Sequence, residues 1–182
     1  MNSFKEAARF FEEHFKKDTL KKDGCVIHYW LSRRKDAPWL IFLHGACADH
    51  RSFYYQLPAV YESYNVLLWD ARGHGSSRPT DGFSVRLLIG DLDAVMQKET
   101  IEKAALIGHS AGGNLAQAFA CEYPEKIESL VIIDSTWNMQ RLKPLEKWAL
   151  KSARGILSLY SWKSLVNQSA KVSSSKAEKK RF

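Results

Sequence analysis

A short glycine-rich motif is the part of this sequence best suited to chemistry. Gly108-His109-Ser110-Ala111-Gly112 fits the pattern G-x-S-x-G and stands between an apolar run and a predicted helix. A strand-to-helix turn this tight holds the serine hydroxyl clear of the sheet edge, and the helix N-terminus behind it favours negative charge on the oxygen. The motif predicts that Ser110 is a nucleophile. The alternative is a glycine-rich turn whose serine only caps the helix.

A second candidate lies at the end of an earlier apolar run, in His44-Gly45-Ala46. A strand that ends this way places main-chain N–H groups where an oxyanion would form. The N–H groups of Ala46 and Ala111 are therefore predicted to form an oxyanion hole together. For the His44 side chain we expect an orienting role, in which it hydrogen-bonds a neighbouring loop.

Buried strands and amphipathic helices must position these residues. The continuous apolar runs predict strands buried on both faces, at 39–43, 64–69, 104–107 and 129–133. Residues 25–33 read as a further strand, with a possible first strand before it at 19–24. Helical patterns occupy 4–16, the stretch after a capping Ser84, and 113–122. The alternation predicts an α/β fold with a mostly parallel sheet and helices on both faces.

Three motifs follow three consecutive strands in order. His44-Gly45 follows the third, Asp70-x-Arg72-Gly73-His74-Gly75-x-Ser77 the fourth, and Gly108-His109-Ser110-Ala111-Gly112-Gly113 the fifth. Over about residues 20–165 the chain resembles the α/β-hydrolase superfamily, in the branch of single-domain serine hydrolases with a helical lid. The resemblance implies a twisted, mostly parallel sheet that is incomplete after its sixth strand. A serine, rather than the aspartate of the dehalogenase and epoxide-hydrolase branches, implies cleavage of an ester, a thioester or an activated carbon–carbon bond.

The resemblance also implies a triad in the chain order Ser, acid, His, which this sequence does not complete. No histidine follows His109, and 48 residues follow Asp134 at the end of the sixth strand. Each further strand–helix unit needs on the order of 30 residues, so the chain is expected to correspond to the N-terminal two-thirds of such an enzyme. His74 or His44 as an in-chain base and Asp134 as the acid stay open, whereas Asp70 is expected to tie its own loop.

Three segments are predicted along the chain: a hydrolase core over 1–136, a helical lid over 137–167 and a flexible basic tail over 168–182. The second segment mixes aromatic and basic side chains, among them Trp148, Trp162 and Lys147. A lid that forms the substrate pocket is the favoured interpretation. A basic amphipathic surface that visits membranes and plain core helices are the alternatives.

The net charge of +7 is confined to the C-terminal end. Residues 1–150 hold 19 basic and 19 acidic side chains, and residues 151–182 hold eight basic residues against Glu178. No nucleic-acid motif accompanies these charges, so no nucleic-acid partner is predicted. The six histidines show no metal-ligand spacing, so neither a metal nor a cofactor is expected. No run of eighteen apolar residues exists, so no stable membrane insertion is expected.

Three cysteines without a signal sequence indicate free thiols and a cytoplasmic location. The sequence thus predicts a serine hydrolase that acts on a small ester-like acyl substrate through a Ser110 acyl-enzyme. The alternative is a catalytically inactive, truncated or binding protein on the same scaffold. Self-association through an exposed sheet edge is also predicted, because an unpaired apolar edge invites pairing with another chain.

Overall fold

The computed structural model describes residues 3–79 and 82–135. The strands are β1 (Lys16–Lys22), β2 (Cys25–Ser32), β3 (Trp39–Leu43), β4 (Asn65–Trp69), β5 (Ala104–His109) and β6 (Ile127–Ile133). The α-helices are α1 (Phe4–His14), α2 (Leu57–Val60), α3 (Val85–Lys98) and α4 (Ala111–Glu122), and short 3-10 helices span His50–Phe53 and Pro124–Lys126. The predicted lid over 137–167 and tail over 168–182 lie outside the described residues.

The six strands form one sheet in the order β1-β2-β4-β3-β5-β6. The pairs β4–β3, β3–β5 and β5–β6 are parallel, while β2 runs antiparallel to both β1 and β4. The prediction of four adjacent parallel strands is therefore confirmed. The first strand begins at Lys16, ahead of the predicted residue 19, and β6 begins two residues before its predicted start. In β1 the added polar residues pair with apolar neighbours, as Lys16 does with Leu31, and in β6 the register shifts between Ala104 and Ala105, neither of which the composition of the segment reveals.

Each central strand buries alternate side chains in two separate cores. Leu67 and Trp69 of β4 join the core beneath α3 and α4, whereas Val66 and Leu68 join the core beneath α1 and α2. Burial of a single leucine contributes roughly 1.5–3 kcal/mol, so a strand buried on both faces is mostly apolar, and the buried Asn65 at the start of β4 has both of its side-chain polar atoms hydrogen-bonded. The predicted helices on both faces are confirmed.

Local signals set where the helices begin. The Ser84 hydroxyl accepts a hydrogen bond from the Leu87 N–H at 3.2 Å, and α3 starts at the next residue, as predicted. Helix α4 starts at Ala111, two residues before the predicted start, because its glycine pair meets a packing requirement and does not delay the helix. None of the described helices has the length and apolar character of a membrane span.

The outer strand β6 is apolar and exposed, so the prediction that residues 129–133 are buried on both faces is wrong, because β6 lies at the edge of the sheet among the described residues. Its residues Leu130, Val131, Ile132 and Ile133 keep between 37% and 46% of their surface accessible. Within residues 3–79 and 82–135, no strand pairs with the outer edge of β6. The opposite edge, β1, carries four lysines, which is how natural sheets discourage pairing at an edge.

Candidate active site

Ser110 occupies a strained turn between β5 and α4. Its φ is 53° and its ψ is −118°, a backbone conformation that a residue with a Cβ rarely adopts. Such strain persists only where the surroundings enforce it. The strand–turn–helix context predicted from the motif is confirmed, and the Ser110 side chain does not cap α4.

Two glycines allow the strand and helix to meet this closely. A Cβ at Gly108 would stand 2.5 Å from the Gly112 carbonyl oxygen, and a Cβ at Gly112 would overlap the Leu43 carbonyl group. Both contacts are with main chain, which cannot move aside as a flexible side chain could. The first and last positions of the G-x-S-x-G pattern are therefore fixed by packing.

The His44-Gly45 loop lies directly against the serine turn. Leu43 pairs with Gly108 in the parallel register of β3 and β5, so both loops leave the sheet at the same edge. A Cβ built on Gly45 would stand 3.3 Å from the Ser110 Cβ. The expected proximity of Ser110 to His44-Gly45 is confirmed.

The two main-chain N–H groups predicted as oxyanion donors lie in these two loops. Ala46 and Ala111 are both exposed, and neither N–H donates to an acceptor among the described residues. The Ser110 hydroxyl is likewise without a hydrogen-bond partner there. One edge of the sheet thus presents a hydroxyl and two uncommitted donors.

The end of β6 supports the serine turn from the other side. The Ser110 N–H donates to the Ile133 carbonyl at 2.9 Å, and the Ser135 hydroxyl donates to the Ser110 carbonyl. That carbonyl also accepts from the Gly113 N–H at 2.9 Å. Ser135 was not among the predicted site residues, and nothing in its local sequence distinguishes it.

Comparison with known proteins identifies the fold family. A sequence model of the family described as alpha/beta hydrolase fold matches residues 38–178. The chain belongs to the alpha/beta hydrolase family.

Named relatives of this hydrolase-fold chain are matched over part of their length. A Haemophilus influenzae protein named "Putative esterase/lipase" is 35% identical over 99 residues, covering 54% of this chain and 34% of the relative. Epoxide hydrolase 4 of Mus musculus is 30% identical over 118 residues, covering 63% of this chain and 33% of the relative. The crystal structure of a hydrolase from Pseudomonas aeruginosa PA01 superposes with a TM-score of 0.67 at 28% identity, covering 76% of this chain and 52% of that one. The chain spans about a third of the length of these two curated relatives.

Within the hydrolase fold, His44 orients a loop, as expected. Its Nε2 accepts a hydrogen bond from the Ala71 N–H at 3.0 Å, and its Nδ1 lies 2.8 Å from the Gly45 carbonyl oxygen. A carbonyl can only accept, so Nδ1 carries the proton. Burial lowers the pKa of His44, and this effect outweighs the hydrogen bond with the Gly45 carbonyl, which acts to raise it. Neither nitrogen is free to take a proton from Ser110, which argues against His44 as the base.

Asp70 is the centre of a buried network that joins the His44 loop to its own. Its Oδ1 accepts from the His50 N–H at 3.0 Å and lies 2.8 Å from His50 Nδ1, while its Oδ2 accepts from the Ser76 N–H at 2.7 Å. Burial acts to raise the pKa of Asp70, but these hydrogen bonds outweigh it and hold the pKa below its usual value. The prediction that Asp70 ties its own loop is confirmed.

His50 had no predicted role, yet it contacts a carboxylate. Its ring stacks on Trp30 with centroids 3.6 Å apart, and its Nε2 lies 3.2 Å from the Tyr54 hydroxyl. This His–Asp pair resembles half of a catalytic triad, but its second nitrogen faces Tyr54. The sequence signal that could have found it is a histidine six residues after His44, on the same loop.

A group of three side chains near this network has the composition of a metal site. One ligand atom each of Asp49, His50 and Asp70 lies within 4.8 Å of the others. Both oxygens of Asp49 accept hydrogen bonds from Arg51, and both oxygens of Asp70 have the partners described above. The donor set is therefore already satisfied by protein and does not fit a cation.

Arg72 connects the loop after β4 to helix α3. Its guanidinium forms two hydrogen bonds with Asp91, both 2.8 Å, and 1% of its side chain is exposed. It also donates to the carbonyls of Asp23 and Lys22 at 2.8 and 3.1 Å. Arg72 belongs to the motif after β4, but neither its role nor its partner on α3 was predicted.

Proposed function

We propose that this chain carries the nucleophile of a serine hydrolase that cleaves a small ester-like acyl substrate through a Ser110 acyl-enzyme. The observation that supports this most strongly is the Ser110 turn at φ 53°, with the uncommitted N–H groups of Ala46 and Ala111 at the same edge of the sheet. Relatives named as an esterase or lipase and as epoxide hydrolases support hydrolysis as the reaction class.

In the proposed reaction, Ser110 Oγ attacks the substrate carbonyl carbon while a base takes the hydroxyl proton. The carbonyl oxygen becomes an oxyanion that the N–H groups of Ala46 and Ala111 stabilise. Collapse of this intermediate expels the alcohol or thiol with a proton and leaves the acyl group on Ser110. Water then attacks the acyl-enzyme and releases the acid.

A serine at the turn favours acyl transfer over epoxide opening. Its hydroxyl forms an ester with an acyl group, and water attacks the carbonyl carbon of that ester to free the enzyme. We therefore propose carboxylic esters, thioesters or related acyl compounds as substrates, and no cofactor in the reaction.

His74 is the remaining in-chain candidate for the base, because its described contacts leave one ring nitrogen without a partner. Its Nδ1 lies 3.1 Å from the Arg72 carbonyl oxygen, which can only accept, so the neutral ring keeps a lone pair on Nε2. Its ring centroid is 5.2 Å from that of His44, beside the site. Asp134, proposed as the acid, follows β6 with a φ of 50° and makes no ion pair with a described histidine.

A binding protein without catalysis is the second candidate. One observation favours it: Ser110 Oγ forms no hydrogen bond with a histidine among the described residues. In a serine protease, loss of the histidine costs about 10⁶ in turnover, and a residual ~10³–10⁴ over water survives. Hydrolysis of p-nitrophenyl acetate by this chain is therefore expected to be negligible.

Labelling by a fluorophosphonate, read by mass spectrometry, separates the two candidates. Without added base we expect slow modification of Ser110. Imidazole in solution should accelerate it, since a soluble base can replace a missing one, and Ser110→Ala should remove it. A folded chain that stays unlabelled with imidazole would favour the binding protein.

Rapid labelling without imidazole would instead show that a base is already in place. His74→Ala should then slow the labelling, whereas His14→Ala, on helix α1, should not. Equal labelling in both variants would exclude His74 as the base.

The free thiols support a reducing compartment. Cys25, Cys47 and Cys121 form no disulfide, and the last two are exposed. Exposed thiols persist where glutathione and thioredoxin keep them reduced. We therefore propose a cytoplasmic location.

A further inference from the structure

A cavity lies at the end of the sheet opposite Ser110. Strand β2 runs antiparallel to β4, and its last residue, Ser32, pairs with Val66 near the start of β4. Ser110 follows the other end of the parallel strands. The cavity has a volume of about 230 Å³, and its polar lining consists of His14, Lys16, Ser32, Arg33, Arg34 and Tyr61.

Two of the cations in this lining have donors without an acceptor. The Lys16 ammonium forms no ion pair or side-chain hydrogen bond with the described residues. Arg34 donates from Nε to the Tyr61 carbonyl at 3.1 Å, and its terminal nitrogens donate to no described acceptor. The carboxylate nearest to them, Glu62, is 4.0 Å away and 82% exposed. Solvent screens such a pair, so the local charge stays positive.

The two arginines are held in place before any ligand arrives. The Arg34 guanidinium carbon lies 3.8 Å from the Tyr61 ring centroid, and that of Arg33 lies 4.8 Å from the Trp39 ring centroid. Arg33 is neutralised by Glu99 at 2.7 Å, so it contributes shape more than charge. A planar guanidinium group that is already held by stacking loses little conformational freedom when it binds an oxyanion.

We propose that this cavity binds the phosphate group of a small molecule, a function separate from the one proposed for Ser110. The terminal nitrogens of Arg34 and the Lys16 ammonium supply charge-assisted donors, which phosphate oxygens accept well. The volume selects against large ligands, because drug-sized molecules occupy pockets of about 300–1,000 Å³. It leaves room for a phosphate with a few waters, each of which takes about 30 Å³.

Calorimetric titration of the full chain at low ionic strength tests this. Inorganic phosphate and glycerol phosphate are the two probes, with sodium chloride at matched ionic strength as the blank. We expect saturable binding of at least one probe at a single site. Tighter binding of the ester would identify a phosphorylated metabolite as the ligand, and tighter binding of inorganic phosphate would identify the free ion. Absence of saturable binding by both probes would overturn the proposal.

Variants locate the binding. Lys16→Gln, at an exposed position on β1, should weaken the probe by about threefold or more, because one charge-assisted hydrogen bond is lost. Arg34→Lys should also weaken it, since it keeps the charge but loses the fork. Arg86→Gln, which removes an exposed positive charge on α3, is the matched control. Equal losses in Lys16→Gln and Arg86→Gln, or none in Lys16→Gln, would refute a site in this cavity.

Discussion

The ion pair between Arg72 and Asp91 allows a quantitative test of how the loop after β4 is held. Its side chains are 1% and 0% exposed. Removing one partner of a buried pair costs about 3–5 kcal/mol, because the other charge is left uncompensated. For Asp91→Asn we expect the lower end, about 3 kcal/mol, since Arg72 keeps the carbonyls of Asp23 and Lys22 as acceptors.

Urea unfolding followed by circular dichroism measures this loss. A decrease of about 3 kcal/mol is about two powers of ten in the unfolding constant, and it lowers the melting temperature by roughly 6–12 °C in a chain of this size. The matched control is Glu13→Gln, the same change in the exposed Arg9–Glu13 pair, where little effect is expected.

The double variant Arg72→Met/Asp91→Leu distinguishes charge burial from packing. Replacing both partners of a buried pair by apolar residues is often neutral or stabilising. Here the two freed carbonyls should keep the double variant somewhat below the wild type but above Asp91→Asn. A loss under about 1 kcal/mol in Asp91→Asn, or a double variant less stable than the single one, would refute the reasoning.

Three other predictions concern acid stability, the serine turn and the sheet edge. The lowered pKa of Asp70 means that the native state binds fewer protons than the unfolded state, so the stabilisation by Asp70 is present above the unfolded pKa of about 3.9 and is lost as the pH falls through the native pKa. Asp70→Asn should therefore flatten the dependence of the urea midpoint on pH below about pH 4, and an unchanged slope would contradict this. Gly112→Ala should strongly destabilise the fold, because the added Cβ overlaps main chain. Gly90 lies within α3, and a Cβ added there would be 3.9 Å from its nearest neighbour, so Gly90→Ala should stabilise the fold by about 0.5–1 kcal/mol in thermal melts; the opposite order would be evidence against the packing argument. We propose that β6 mediates self-association, so Val131→Lys should shift the sedimentation profile toward monomer. The control Val85→Lys, at an exposed valine on α3, should not shift it, and identical profiles for the two variants would exclude the β6 edge as the self-association surface.

The features that the sequence predicted correctly depend on neighbours along the chain. The turn at Ser110 follows from glycine sterics within five residues, and the helix start at Ser84 follows from one hydroxyl and an N–H three residues later. The buried strands β3 and β4 follow from apolar runs, since a polar side chain is costly to bury without a hydrogen-bond partner, whereas the apolar run of β6 proved to be exposed.

The features that were missed depend on register between distant elements. Asp91 is one polar residue within an amphipathic helix, and only the placement of α3 against the loop after β4 shows that it faces Arg72. His50 reaches Asp70 across 20 positions, and Ser135 reaches Ser110 across 25. No local pattern encodes such contacts. The base for Ser110 stays a prediction, because among the described residues His74 forms no hydrogen bond with the serine.

The hydrogen bonds between β6 and the serine turn couple the sheet edge energetically to the nucleophile. Ser110 donates to the carbonyl of Ile133, the last residue of β6, and accepts from Ser135 just beyond it. A strand that docks on β6 and fixes this segment would change the free energy of the turn that presents the hydroxyl. By linkage, if the partner strand changes the affinity of Ser110 for a reversible ligand by some factor, that ligand changes the affinity of the edge for the strand by the same factor, and a covalent adduct on Ser110 should shift assembly in the same direction. Sedimentation of the fluorophosphonate-labelled chain would therefore report on the site, and reactivity at the serine would report on assembly.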